Sequence, residues 1–211
     1  MNQWRISLNI WSITYQTCNS YPKYSNLIPI SYTFSQPSNI DDSYTFKLFS
    51  DCLMSIIKGE AINSGDAQRS FREMTETVTS VLGVDRASVW LFSADRSYLE
   101  NVELYEFVEA RHSTIGNIYK ADLPDYFEAL ETDRVIDANN ASQDRRTHEL
   151  TEFYLKPLGI ASILDAPIRI GGQTAGVICL EQSGAQRSWT TGEIYFAGSL
   201  ADMAAHAIES Q

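Results

Sequence analysis

The pair Gly171-Gly172 separates two apolar runs, residues 162–170 and 174–181, each suited in length and composition to a buried strand. Two glycines in a tight turn supply positive φ without steric cost, so the runs read as an antiparallel hairpin. A second hairpin lies upstream, with a buried strand at 87–92, a turn at 93–96 and an alternating partner at 98–106. Residues 134–138 read as one more short strand. Helical spacing governs the remainder. Phe46, Phe49, Leu53, Ile56 and Ile57 form one series that stops at Gly59; Phe71, Met74, Val78, Val81 and Leu82 form another that ends at Gly83. Residues 123–130 read as a short helix with Pro124 near its first turn. Residues 147–155 read as a helix with Leu150, Phe153 and Tyr154 on its apolar side, stopped by Pro157 and Gly159. The last helix, 191–209, buries Ile194, Ala197, Leu200, Ala201, Ala204 and Ile208, with Trp189 expected to anchor it to the sheet. Hairpins covered by segregated helices predict an α+β fold with an antiparallel sheet.

Composition divides the chain near residue 46. Residues 1–46 hold four charged side chains (Arg5, Lys23, Asp41, Asp42), no glycine and three of the six prolines. They show no sustained period, and are expected to be a poorly ordered N-terminal extension preceding a domain at 47–211; a docking arm is the alternative. Sixteen basic against twenty-seven acidic residues give a net charge of −11. That balance disfavours nucleic acid and anionic membrane surfaces as partners. The uncharged run 6–22 is too short and too polar to span a bilayer or to serve as a signal peptide, so the expected location is cytoplasmic. Cys18, Cys52 and Cys179 are scattered and odd in number, which points to a reducing compartment rather than a disulfide framework.

An ordered set of segments carries a resemblance. Leu82-Gly83-Val84-Asp85-Arg86-Ala87-Ser88-Val89-Trp90 is followed by Asp144-Arg145-Arg146-Thr147-His148-Glu149-Leu150 and by Tyr154-Leu155-Lys156-Pro157-Leu158-Gly159-Ile160. Then come Ser162-Ile163-Leu164-Asp165-Ala166-Pro167-Ile168, Gly176-Val177-Ile178-Cys179-Leu180-Glu181 and Arg187-Ser188-Trp189-Thr190. Together these resemble a GAF domain over roughly residues 50–208, of the kind found upstream of bacterial histidine kinases and diguanylate cyclases. The resemblance implies first and last helices bundled on one face of the sheet and a small-molecule pocket on the other. It also implies a sensory, non-catalytic module that binds an unidentified ligand, forms a homodimer, and signals through helix 191–209 to a kinase or cyclase. Because the sequence ends at Gln211, that output is expected in a separate chain, or the chain is a piece of a sensor kinase. An enzyme like the free-methionine-sulfoxide reductases is the alternative.

Candidate ligand contacts are Tyr105, Tyr119, Asp144, Arg145, Arg146, Thr147, Leu150 and Asp165. The 144–149 cluster reads either as an anion site at a helix N-terminus or as a cap whose arginines pair with neighbouring carboxylates. Tyr105, Tyr119, Tyr126 and Phe153 are aromatic candidates for a planar ligand. Asp165 is polar inside an apolar strand and faces either the pocket or solvent. No catalytic residue and no metal ligand set is expected: His112, His148 and His206 are far apart, and Cys52 and Cys179 read as buried small hydrophobes. The Cys-His pair by which bilin-binding relatives attach chromophore has no cysteine near Leu150-Thr151. No cofactor can be named. For dimerisation, Phe49, Ile56, Met203 and Ala207 are expected to remain as an exposed patch.

Overall fold

A computed structural model of the chain describes residues 7–9, 12–14 and 42–211. Two compact units emerge, Met1–Tyr44 and Thr45–Gln211. In the first, β1 (Ser7–Asn9) and β2 (Ser12–Thr14) pair antiparallel, with Leu8 opposite Ile13. The remainder of the expected N-terminal extension lies outside the described residues.

The second unit holds one antiparallel sheet covered by helices. Its elements are α1 (Asp42–Lys58, of which this unit holds Thr45 onward), α2 (Ala67–Leu82), β3 (Arg86–Phe92), β4 (Tyr98–Glu106), β5 (Arg111–Ser113) and β6 (Asn117–Tyr119). They are followed by α3 (Pro124–Thr132), β7 (Ile136–Ala138), α4 (Lys156–Leu158), β8 (Ile160–Ile170), β9 (Gln173–Ser183) and α5 (Thr191–Glu209). The strand order is β5-β4-β3-β9-β8-β7, with β6 also pairing with β4. Gly171 and Gly172 take φ of 58° and 84°, closing the β8–β9 hairpin as expected. Gly176 of β9 has no space for a side chain, because a Cβ there would stand 2.2 Å from the Trp90 carbonyl oxygen. That close approach keeps β9 against β3.

Helices α1, α2 and α5 share one apolar core with the sheet. Asp66 caps α2 by accepting from the Arg69 N–H, and Gly83 ends it in the left-handed conformation. Thr190 and Glu193 form a reciprocal capping box at the start of α5. Trp189 joins the same core.

Three expectations change. Phe49, Ile56, Met203 and Ala207 are buried, not exposed, because the Phe49 ring stacks on Phe196 with centroids 4.6 Å apart and locks α1 to α5. The buried stripe of α1 is Phe49, Cys52 and Ile56, whereas Phe46 and Ile57 face outward. The segment expected as one helix at 147–155 is irregular: a 3-10 turn at His148–Leu150, a π turn at Thr151–Leu155, then α4. Pro157 lies within this segment and does not stop it; lacking an N–H, it cannot donate to the Phe153 carbonyl, and the register widens at that point. Phe153 consequently points outward, 52% exposed, and Tyr154 and Leu155 turn inward.

Candidate ligand cavity

The face of the sheet opposite α1, α2 and α5 is covered by α3 and the 148–155 turns. Between cover and sheet lies a cavity of about 10 Å³ lined by Trp90, Ile118, Tyr126, Leu150, Tyr154, Ile163, Asp165, Cys179 and Glu181. That volume matches about one water molecule, so a larger ligand requires the cover to open. Strand parity decides which side chains reach it. Register then aligns them across strands: Asp165 stands opposite Cys179, and Glu181 opposite both Ile163 and Arg86.

Two carboxylates are thus built into the interior, each 1% exposed. Asp165 Oδ2 accepts from the Tyr126 hydroxyl at 2.7 Å, and Glu181 Oε1 accepts from the Tyr154 hydroxyl at 2.6 Å. The Arg86 Nε lies 3.3 Å from Glu181 Oε2, an ion pair without hydrogen-bond alignment. Asp165 Oδ1 and Glu181 Oε2 receive no N–H or O–H donor among the described residues. Burial pushes the Asp165 carboxyl up to about 8, the Tyr126 hydrogen bond only partly opposing it. Burial raises Glu181 as well, against the pull of Arg86. Buried carboxyl oxygens without hydrogen-bond donors cost stability, and both of these belong to residues lining the one cavity.

The cover is tied together at its middle. Glu149 accepts the backbone N–H groups of Asp125 and Tyr126 at 3.1 and 3.2 Å, so the 3-10 turn caps α3. Leu150 and Asp165 therefore line the cavity, as does Tyr126. The other candidates sit elsewhere. Tyr119 is half exposed and packs on Tyr98, and Tyr105 lies against the His112 ring, whose nitrogens reach Glu103 and Glu76. Arg146 is held by Asp144, Asp137 and Asp133 at 2.7, 3.1 and 3.3 Å, and this partner keeps the Asp144 carboxyl below its usual range. Thr147 donates to the Ala141 carbonyl and makes no cap, whereas Arg145 is exposed. The 144–147 cluster is an ion-pair knot beside β7, outside the cavity lining.

Glu181, Tyr154, Trp90 and Cys179 are cavity residues that strand-by-strand reading missed. Once Asp165 is placed inward, the β8–β9 hairpin register puts Cys179 and Glu181 on the same side, which is the signal that was there to be used. Cys52 and Cys179 are both free and buried; burial pushes the Cys52 thiol up to about 12 and raises Cys179 likewise. Thiols held protonated are poor nucleophiles. Among the described residues no group of His, Cys, Asp and Glu is arranged to hold a metal ion. None of the described helices is long and apolar enough to cross a membrane.

The model of the family described as GAF domain matches residues 66–208. The chain belongs to the GAF domain family. Solved structures share the GAF architecture at low identity. The GAF domain of an Acinetobacter phosphoenolpyruvate-protein phosphotransferase matches with TM-score 0.58 and 13% identity, over 82% of this chain and 95% of that one. Free methionine-R-sulfoxide reductase from Neisseria meningitidis, in complex with its substrate, matches with TM-score 0.59 and 11% identity, over 83% and 95%. The chromophore-binding domain of a Stigmatella aurantiaca bacteriophytochrome matches with TM-score 0.62 and 15% identity, over 83% and 64%. No curated protein sequence matches the chain.

Proposed function

We propose that this GAF domain is a non-catalytic sensory module that binds a small ligand in the cavity beneath α3 and the 148–155 turns. The observation that carries the reading is the pair of buried carboxyl groups, Asp165 and Glu181, each with one oxygen left without a donor at the cavity. The relatives named above include one solved with its substrate and one named for chromophore binding, which supports a ligand site in this fold. A non-enzymatic role fits the thiols: Cys179 is raised by burial, and Cys52 belongs to the core on the opposite face of the sheet. Loss of free methionine sulfoxide reduction in Cys179→Ser, if the wild type showed that activity, would replace this reading with an enzymatic one.

The ligand acts by favouring one arrangement of the cover over another, since equal affinity for both would signal nothing. The output is a kinase or cyclase engaged through a homodimer, in a cytoplasmic setting. Its contact surface is the outward stripe of α1, where Phe46, Met54 and Ile57 are exposed within an arc of about 80°. With a net charge of −11, dimer content should rise with salt, and sedimentation at two ionic strengths tests this. Native mass spectrometry of the full chain tests the ligand itself. A retained small molecule, lost in Asp165→Asn, is the expected result. A ligand-free mass, together with no metabolite extract that raises the melting temperature, would overturn the reading.

A further inference from the structure

Taken around the cavity, the charged groups do not balance. Glu181 has a counter-ion, because Arg86 Nε stands 3.3 Å from its Oε2. Asp165 has none lining the cavity with it; its neighbours there are the Tyr126 hydroxyl, the Cys179 thiol and Glu181, and Arg146 acts on it only from outside, from within its own knot of three carboxylates. Three aromatic rings, Trp90, Tyr126 and Tyr154, join the aliphatic side chains Ile118, Leu150 and Ile163 in the rest of the lining. A compartment with two acceptor oxygens awaiting donors, one uncompensated carboxyl and aromatic faces is complementary to a nitrogen cation that carries N–H groups.

We propose that the ligand of this cavity presents a cationic nitrogen head group, an ammonium or amidinium, that donates to Asp165 Oδ1 and Glu181 Oε2 against the Trp90, Tyr126 and Tyr154 rings. This rests on the cavity being the ligand site. Without the cation, the Asp165 carboxyl holds a proton at neutral pH because burial raises it to about 8. The cation takes over the role of that proton, which leaves to solvent as the ligand enters. The sign follows. Below pH 8 each binding event releases a proton, so apparent affinity rises up to tenfold per pH unit and levels off above about 8. A neutral acceptor ligand would keep the proton and show no such rise.

Melting temperature measured against concentration of methylammonium chloride tests this on the full chain, with sodium chloride at equal ionic strength as reference. Acetamide and sodium acetate are the neutral and anionic probes, and the titration is repeated at pH 6, 7 and 8.5. Saturable stabilisation by methylammonium alone is expected, stronger by at least tenfold in apparent affinity at pH 8.5 than at pH 6. Asp165→Asn should lose the pH dependence and at least tenfold in affinity. Glu181→Gln provides a second variant if the first does not fold, and Phe153→Ala, on the exposed side of the cover, should behave as wild type. Stabilisation by acetate or acetamide, or a retained native ligand without a basic nitrogen, would overturn the cation and leave the ligand site standing. If none of the three probes acts and nothing is retained, both ideas fail.

Discussion

The two faces of β3, β8 and β9 differ by one residue of parity and by nearly everything else. Toward the helices point Ala87 and Val89, Leu164, Ala166 and Ile168, and Ile178 and Leu180, all buried with α1, α2 and α5 in one apolar core. Toward the cavity point Ser88 and Trp90, Ile163 and Asp165, and Cys179 and Glu181. Burial is equally complete on both faces, yet only one is chemically quiet. The helix-side face supplies stability through apolar area removed from water. The cavity face spends some of that stability on raised carboxyls and oxygens without donors, the pattern expected where a site and not a core is being maintained.

The contrast is broken most severely from the apolar side. Leu200 of α5 is completely buried in the helix-side core, and Leu200→Asp places a charge there with no partner. A loss of at least ~4 kcal/mol is expected, enough to abolish a cooperative melt in circular dichroism. A normal melt would mean that this face tolerates charge as the cavity face does. Asp165→Asn works on the other side of the sheet, and its effect has a pH signature. With the folded carboxyl at about 8 and the unfolded one at the ordinary 3.8, the folded state holds a proton between those values that the unfolded state lacks. Wild-type stability therefore falls as pH rises through that window, on the order of 1 kcal/mol per unit from this group. Asparagine removes the slope, so the variant should gain on the wild type steadily from pH 5 to pH 8 in urea titrations. Parallel profiles would show that Asp165 does not titrate in that range.

How far each face was readable follows from the same difference. The β8–β9 hairpin was legible because Gly171-Gly172 interrupts two apolar runs, and α5 because its small and apolar residues recur over five turns. Asp165's orientation was not. In strands buried on both faces nearly every position is apolar, so alternation carries no mark of which side is which. Only pairing register, Asp165 opposite Cys179 and Arg86 opposite Glu181, assembles the site, and register joins residues distant in sequence. Tyr119 was suggestive as an aromatic residue, but β6 is three residues long, too short for a period to show. Tyr105 stands in β4 opposite Ala87, whose side of the sheet is the helix-side core, and only that register reveals it. The π turn escaped because its apolar spacing imitates a regular helix until Pro157 intervenes.

A smaller effect separates the two hydroxyl bonds within the cavity. Tyr126→Phe leaves Asp165 with no hydroxyl donor and no counter-ion among the cavity groups, only the weak donor of the Cys179 thiol, and a loss of about 1–3 kcal/mol is expected. Tyr154→Phe leaves Glu181 beside Arg86, so it should cost less. Equal losses in chemical denaturation would mean that Arg86 does not compensate Glu181.

The smallest effect belongs to the other division of the molecule, between the sheet unit and the residues before it. Residues 1–46 carry four charged side chains and no periodic apolar face, whereas both large apolar clusters among the described residues lie from Leu48 onward. Stability in a domain of this size comes mainly from such clusters, and removing a segment whose sequence offers no periodic apolar face should change little. Deleting residues 1–41, which leaves α1 intact from Asp42, should shift the melting temperature by less than ~5 °C, roughly 1 kcal/mol. Phe46 and Ile57, exposed on the outer stripe of α1, make this informative in the opposite direction too. If the deletion lowers the melting temperature by more, or drives the chain into larger assemblies at tens of micromolar, the first segment covers that stripe and belongs to the fold.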